Sequence, residues 1–366
     1  MPSTLPPLPK APHQLLYLVY GEQDVYRREA KFSILTALSQ LKQGESLCIR
    51  VMTDRPQDYT GWPVETIALD EQTLTRWQGG NGYTHRRKAC AIAHGLTLAD
   101  KTLFVDTDTL FLKSPHRVLE LIEPGQYVMD EFEYDWSYVC KRPDYLKLGR
   151  DLQAHGISAS NGFKLYNSGL CGVQASDAPL LETAIGLIDE WTRESFDIHT
   201  IEQVAISFAM RGKPVREARK FVHHFYADKR FFHAMQAHFF SLHGETFSPE
   251  LIARSQDVPC FKPMPSPLQR FWIKWQLRNQ RKHLKKVVQA APLGAATVLL
   301  GQALAQEGQD GLLVSRLGGP GHVLRPTGVF RLQQLSLLSL VPTSYLLAGR
   351  FPPAVSAYVV VRVLRR

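Results

Sequence analysis

Cysteine is scarce in this chain and unpatterned. Cys48, Cys90, Cys140, Cys171 and Cys260 are odd in number, widely scattered and without a CxxC pair, which argues against a disulfide framework or a zinc site and reads as reduced thiols. No run of 18 uninterrupted apolar residues occurs, so a membrane-spanning helix is not expected. Met1 to Pro12 is proline-rich and lacks the apolar run of a signal peptide, making a cytoplasmic enzyme the simplest expectation. Internal repeats are missing. So is the bias of a disordered chain, since 44% of residues are hydrophobic and 21% charged.

The formal net charge of +9 suggests a nucleic-acid binder until it is divided along the chain. Residues 262–366 hold 15 Lys and Arg against two acids, Glu307 and Asp310, for +13, whereas residues 1–261 hold 28 basic and 32 acidic residues, for −4. The basicity belongs to a tail, and no nucleic-acid motif accompanies it, so nucleic acid is not expected as a partner.

The first two hundred residues alternate strand and helix patterns. Leu15–Tyr20, Ser46–Thr53, Val64–Leu69, Leu103–Asp106 and Tyr127–Met129 read as strands, and Tyr26–Leu41 and Thr84–Leu98 as helices. Leu165–Val173 reads as a strand that turns sharply, followed by helices over Ala178–Thr192 and Ile201–Met210. This rhythm predicts an α/β sandwich with a mainly parallel sheet and ligands at the carboxyl ends of its strands. After Val258–Pro267, with four prolines in ten residues, the character changes. Leu268–Val288 reads as an amphipathic helix with Arg270, Lys274, Arg278, Arg281 and Lys285 on one stripe. The expected division is a domain over 13–260, a basic helix over 261–288 and an apolar, basic extension over 289–366.

The chemistry sits in Phe104-Val105-Asp106-Thr107-Asp108. A buried strand ends, and two carboxylates one residue apart emerge toward the same side. Their mutual repulsion makes a cation the natural compensation. Oxygen ligands of this kind suit Mg²⁺ or Mn²⁺, which retain waters and take up substrate phosphates. A surface Asp-x-Asp turn is the plain alternative, but the apolar flanks, including Leu110-Phe111-Leu112, favour a metal site.

The run LFVDTDTLFLKSP resembles the DxD segment of GT-A-type glycosyltransferases, particularly the retaining family that includes glycogenin and the bacterial lipopolysaccharide galactosyltransferases. The likeness covers about residues 15–233 and has four firm points in order: His85, Arg86 and Lys88 on a preceding helix, the DTD triplet, Tyr166-Asn167-Ser168-Gly169, and Glu202-Gln203. In that family these imply, respectively, a contact to the donor diphosphate, the metal ligands, a turn near the donor sugar, and a Gln close to the anomeric carbon. A looser fifth point sets His223 six residues before Lys229, the family's metal-ligating His and phosphate Lys; the usual Gly between them and Pro-Trp after are missing, so His223 and His224 both stand as candidates. Asp54, ending the second strand, is a candidate contact to base or ribose, and Asp130 and Glu131 are candidates for donor-sugar hydroxyls.

The resemblance implies a GT-A fold and metal-dependent transfer of a hexose from a nucleoside-diphosphate sugar, UDP-linked by preference, to a glycan or lipid-linked acceptor. Retention at the anomeric carbon follows from the resemblance alone, through Gln203. An inverting enzyme would need a carboxylate base, which Asp130, Glu131 or Glu202 could supply. Two rivals stand beside it. One is an inactive fold that binds a membrane surface or polyanion through the basic tail, whose helix carries Trp272 and Trp275. The other, a haloacid-dehalogenase-type phosphatase, is disfavoured by Leu110 at the fifth position of its Asp-x-Asp-x-Thr motif and by the missing Gly-Asp-x-x-x-Asp.

Overall fold

Leu15, Leu16 and Tyr17 are fully buried, and the strand that carries them, β1 (Ala11–Val19), is an interior strand of the main sheet. In chain order the other strands are β2 (Ile49–Thr53), β3 (Glu65–Ala68), β4 (Ala99–Val105), β5 (Thr109–Phe111), β6 (Tyr127–Met129), β7 (Phe132–Asp135), β8 (Lys164–Tyr166), β9 (Leu170–Gln174), β10 (Val215–Glu217) and β11 (Val222–His224). The helices are α1 (Asp24–Ser39), α2 (Glu71–Gln78), α3 (Arg86–Leu98), α4 (His116–Leu119), α5 (Trp136–Val139), α6 (Leu146–Ala154), α7 (Ala178–Arg193), α8 (Ile201–Ala209), α9 (Lys229–His243) and α10 (Pro249–Ser255). This computed structural model describes residues 9–157, 162–194 and 198–264, with 266–269, 271, 272, 275 and 278 beyond them.

Seven strands form one sheet in the order β10-β6-β9-β4-β1-β2-β3. All neighbours are parallel except β9, which runs antiparallel to both β4 and β6. The protein is thus α/β with a mostly parallel central sheet. Two small antiparallel ladders, β5 with β11 and β7 with β8, stand apart from it.

Strand alternation sorts the helices between faces. Leu16 packs in a cluster with Ala91, Ile92 and Leu96 of α3 and Leu181 and Ala184 of α7, while the Tyr17 hydroxyl meets Ser33 of α1 on the opposite face. A second cluster, built on Trp136, Trp191, Phe163 and Phe208, joins α5, α7 and α8. Chain order reverses at β1, whose neighbours are β2 on one side and β4 on the other, and in such sheets the crevice at that reversal accepts ligands.

The amino ends of the strands are tied by a buried arginine. Arg50 is 1% exposed and donates to Glu65 Oε2 (2.7 Å), Gln14 Oε1 (2.9 Å) and the carbonyls of Leu98 (2.8 Å) and Pro9 (2.7 Å). Arg50→Ala would leave several of these acceptors unpaired, so urea denaturation should register a loss of roughly 3 kcal/mol or more. A loss under about 1 kcal/mol, the level of an exposed pair, would contradict this account.

The chain divides into two units, Met1–Lys262 and Pro263–Arg366. Helical positions are described at 267–269, 271, 272, 275 and 278, so the helix expected over Leu268–Val288 is only partly covered, and the extension over 289–366 lies outside the described residues. Among the described residues no helix is long and apolar enough to cross a membrane.

Candidate metal centre

β4 ends at Val105, one residue earlier than its apolar pattern suggests, and Asp106-Thr107-Asp108 form the bend that leads into β5. The bend is held by two backbone bonds and one side-chain bond: Asp106 N donates to Gly169 O (2.7 Å), Phe225 N to Asp108 O (2.9 Å), and Thr109 Oγ1 to Asp106 O (2.8 Å). Because β5 pairs with β11, His224 lies opposite Thr109 and His223 opposite Leu110. Successive strand residues point to opposite faces, so only one of the two histidines can reach the carboxylates. That one is His224. Its Nε2 stands 3.3 Å from Asp108 Oδ1, and its Nδ1 is 2.7 Å from Asp130 Oδ2. Asp106, Asp108 and His224 bring one ligand atom each within 4.8 Å of one another. His223 instead lies among aromatic rings, 4.8 Å from Phe261 and 5.8 Å from Phe232, and is not part of the centre.

Two lysines face the same carboxylates. Lys88 Nζ donates to Asp106 Oδ2 (2.8 Å) and to Ser168 O and Oγ (both 3.3 Å), with Glu202 at 3.6 Å. Lys229 Nζ reaches Asp108 Oδ2 at 2.9 Å and is less enclosed. The aspartates respond differently. Burial, reinforced by the charge of Asp108, raises the Asp106 carboxyl despite Lys88. Burial also works to raise Asp108, but the hydrogen bond and charge of His224, with Lys229, outweigh it and hold that carboxyl below the usual range. Burial opposes the imidazolium of His224, yet its bonds to Asp108 and Asp130 prevail and lift its pKa to about 10. For Lys88, burial is overcome by Asp106 and Glu202, which push the ammonium upward.

His224 therefore makes stability depend on pH. Its folded pKa of about 10 lies above the ordinary 6.5, so its contribution is complete below pH 6.5 and is lost as pH rises toward 10. In EDTA, the thermal midpoint of the native chain should fall between pH 7 and 10 more steeply than that of His224→Asn. Parallel curves would contradict the assignment.

The turn before β9 forms the floor. Gly169 N donates to Asn167 Oδ1 (2.8 Å), and Asn167 Nδ2 to Glu133 Oε1 (2.9 Å). Ser168 N donates to Gln203 Oε1 (3.2 Å), and Gln203 Nε2 to Glu133 Oε2 (2.7 Å). Glu202 is almost fully buried and accepts from Ser168 Oγ (3.0 Å) and Tyr83 Oη (2.9 Å). Burial works against its ionised form, but Lys88, His85 and these hydroxyls hold its carboxyl below the usual value.

The structure thus brings together Asp106, Asp108, His224, Asp130, Lys88, Lys229, Asn167, Ser168, Gly169, Glu202 and Gln203. Arg86 stands elsewhere: it grips Asp189 of α7 through Nε (2.6 Å) and Nη2 (2.9 Å) and is not free to cover a diphosphate. His85 occupies the N-cap position of α3 without a side-chain capping bond, packs against Tyr83 and His199, and bears on the centre through its charge on Glu202. Asp54 lies beyond β2, where one carboxylate oxygen accepts from Gly21 N (3.0 Å) and the other is buried without a protein partner. Glu131 sits at the rim beside Tyr226 (3.3 Å) and Arg219 (3.6 Å). Sequence reasoning missed Glu133, Tyr83, Glu29 and His233. For Glu133 the adjacent acids Asp130 and Glu131 were a signal; the others carry none without tertiary pairing.

Two carboxylate oxygens and one imidazole nitrogen fit Mn²⁺ or Mg²⁺ with positions left for water and phosphate. With its Nδ1 proton donated to Asp130, His224 would turn Nε2 toward the ion, the usual arrangement of an outer carboxylate behind a ligating histidine. No protein-family model matches the sequence, and no curated protein matches it.

Proposed function

We propose that this chain is a metal-dependent glycosyltransferase of GT-A type, moving a hexose from a nucleoside-diphosphate sugar to a glycan or lipid-linked acceptor. The observation that carries the reading is the gathering of Asp106, Asp108 and His224 with Lys88 and Lys229 at the carboxyl edge of the sheet, beside its topological switch point. Asp106, Asp108 and His224 would hold Mn²⁺ or Mg²⁺, whose bound charge would stabilise a departing nucleoside diphosphate.

The chain's own groups complete the site. Lys88 and Lys229 would exchange their carboxylate partners for diphosphate oxygens, and the partnerless Asp54 oxygen would accept a base or ribose donor. Gln203 is fixed between Ser168 N and Glu133, which supports a role beside the sugar rather than in proton transfer. Asp130 is committed to His224, and Glu202 to Lys88, Ser168 and Tyr83. Neither stands open to an acceptor hydroxyl, which leaves Glu131 at the rim, beside Tyr226 and Arg219, as the candidate base of an inverting step; retention is proposed on the resemblance, through Gln203. The test is thermal stabilisation across a panel of nucleotide sugars with and without Mn²⁺, followed by Mn²⁺-dependent hydrolysis of the stabilising donor. Failure of every nucleotide sugar to stabilise the chain would overturn the reading.

A separate observation bears on the partner of the basic tail. Leu268, Phe271, Trp272 and Trp275 follow i, i+3, i+4, i+7 spacing and are all at least half exposed, with the two indoles 5.2 Å apart. An aromatic face on a +13 segment suits the anionic inner surface of a membrane, and we infer peripheral attachment there. The full chain should co-sediment with phosphatidylglycerol-containing vesicles but not with pure phosphatidylcholine, and the double change Trp272→Ala, Trp275→Ala should release it. Unaltered co-sedimentation of that variant would refute the aromatic contact.

A further inference from the structure

A carboxylate with no solvent exposure lies directly behind the metal centre. Glu29 of α1 is 0% exposed, and both its oxygens are taken at short range: Oε2 accepts from Thr107 Oγ1 (2.6 Å) and Oε1 pairs with His233 Nε2 (2.6 Å). Thr107 is the residue between Asp106 and Asp108. One turn further along α1, Ser33 Oγ meets Thr109 Oγ1 (2.9 Å), so this helix holds the bend at two alternate residues. α9 approaches the same bend. Lys229 reaches Asp108, and one turn later His233 reaches Glu29. The two helices are fixed to each other by Phe32, whose ring lies 5.1 Å from Phe239 and 6.3 Å from Phe240.

Burying a carboxylate is expensive unless it is paired and fully bonded, and an apolar side chain would join α1 to α9 at less cost. What a glutamate supplies, and an apolar contact does not, is a directional hold on the Thr107 hydroxyl. Rotation of the 106–108 bend would change the separation of the two flanking carboxylates, on which a divalent ion's coordination depends.

We propose that Glu29 and His233 are positioning residues of the metal centre, setting the disposition of Asp106 and Asp108 through the Thr107 hydroxyl. The inference rests on the metal reading of that centre. Lys229 and His233, one turn apart on α9, then connect the cation facing Asp108 to the clamp behind it, so α9 serves the bend from both sides.

The test is titration of the full chain with Mn²⁺, read by electron paramagnetic resonance of the free ion, with thermal melts of every variant alongside. Thr107→Val should weaken Mn²⁺ binding by about tenfold to a hundredfold, and Thr107→Ser, which keeps the hydroxyl, should remain within about twofold of the native chain. His233→Phe should weaken binding similarly, and His233→Gln, whose amide can donate to Glu29, should restore much of it. Arg50→Ala, destabilised at the far ends of the strands, should bind Mn²⁺ normally. Native affinity in folded Thr107→Val and His233→Phe would overturn the inference alone. Equal weakening in Arg50→Ala would do so too, by tracing the effect to general stability. Should Thr107→Val not fold, the two His233 variants decide. If the native chain binds no Mn²⁺, or binds it as well after Asp108→Asn, the metal reading fails and the clamp with it.

Discussion

Asp108→Asn should reduce Mn²⁺-dependent donor turnover by about a thousandfold or more while leaving the fold intact. Asparagine has nearly the shape of aspartate, so the buried position, 4% exposed, is not opened. What disappears is the charge that His224 and Lys229 share. On the proposed function, loss of a charged ligand would forfeit several kcal/mol of stabilisation of the departing diphosphate, and each 1.4 kcal/mol is a factor of about ten in rate. Stability should change far less. His224 keeps Asp130 at 2.7 Å, and Lys229, whose side chain is 42% exposed, can turn its ammonium to water. The useful contrast is Asp106→Asn, where Lys88 is enclosed and would keep the Ser168 oxygens (3.3 Å) but, as a charged partner, only Glu202 at 3.6 Å, so that variant should lose more stability along with its activity. Turnover and Mn²⁺ affinity measured beside chemical denaturation separate the two effects. Mn²⁺-dependent turnover of Asp108→Asn within tenfold of the native chain would remove Asp108 from the centre.

The parts of this centre that were legible in the sequence are those that depend on neighbours along the chain. A buried apolar strand running into two carboxylates needs no tertiary information, and Asp106 and Asp108 were read from it. Lys88 was read from its helix, but so was Arg86, and the chain alone could not show that Asp189, 103 residues later, takes the Arg86 guanidinium. The histidine was read only as far as the pair His223 and His224. Spacing to Lys229 pointed to His223, whereas the register of β11 against β5 decides which ring faces the carboxylates, and a shift of one residue exchanges the two faces. Glu29 and His233 are 204 residues apart and belong to helices with ordinary apolar faces, so nothing local marks them. The α/β alternation was legible for the same reason as the aspartates. The antiparallel placement of β9, which sets the Asn167–Gly169 turn against the metal bend, was not, because it is fixed by pairing with β4 and β6.

That turn also gives the sharpest steric prediction. A methyl group added at Gly169 would overlap the His224 ring at Cε1 and Nδ1 and come within 3.0 Å of Cγ. The ring cannot yield easily, since its side chain is 7% exposed and held by Asp130 on one edge and Asp108 on the other. Nor can the turn retreat, because Gly169 O accepts from Asp106 N and Gly169 N donates to Asn167. Gly169→Ala should therefore lose about 1–3 kcal/mol of stability to overpacking. It should also weaken Mn²⁺ binding at least as much as loss of an outer-shell partner, about a hundredfold, by turning Nε2 away from the aspartates. A double-mutant cycle isolates the cause. In a His224→Ala background the obstructing ring is gone, so adding Gly169→Ala should change stability by less than about 0.5 kcal/mol, a strongly non-additive result. Full additivity would mean that the alanine acts on the backbone turn and not on the histidine, and the account of Gly169 as the space that lets His224 reach the metal centre would fall.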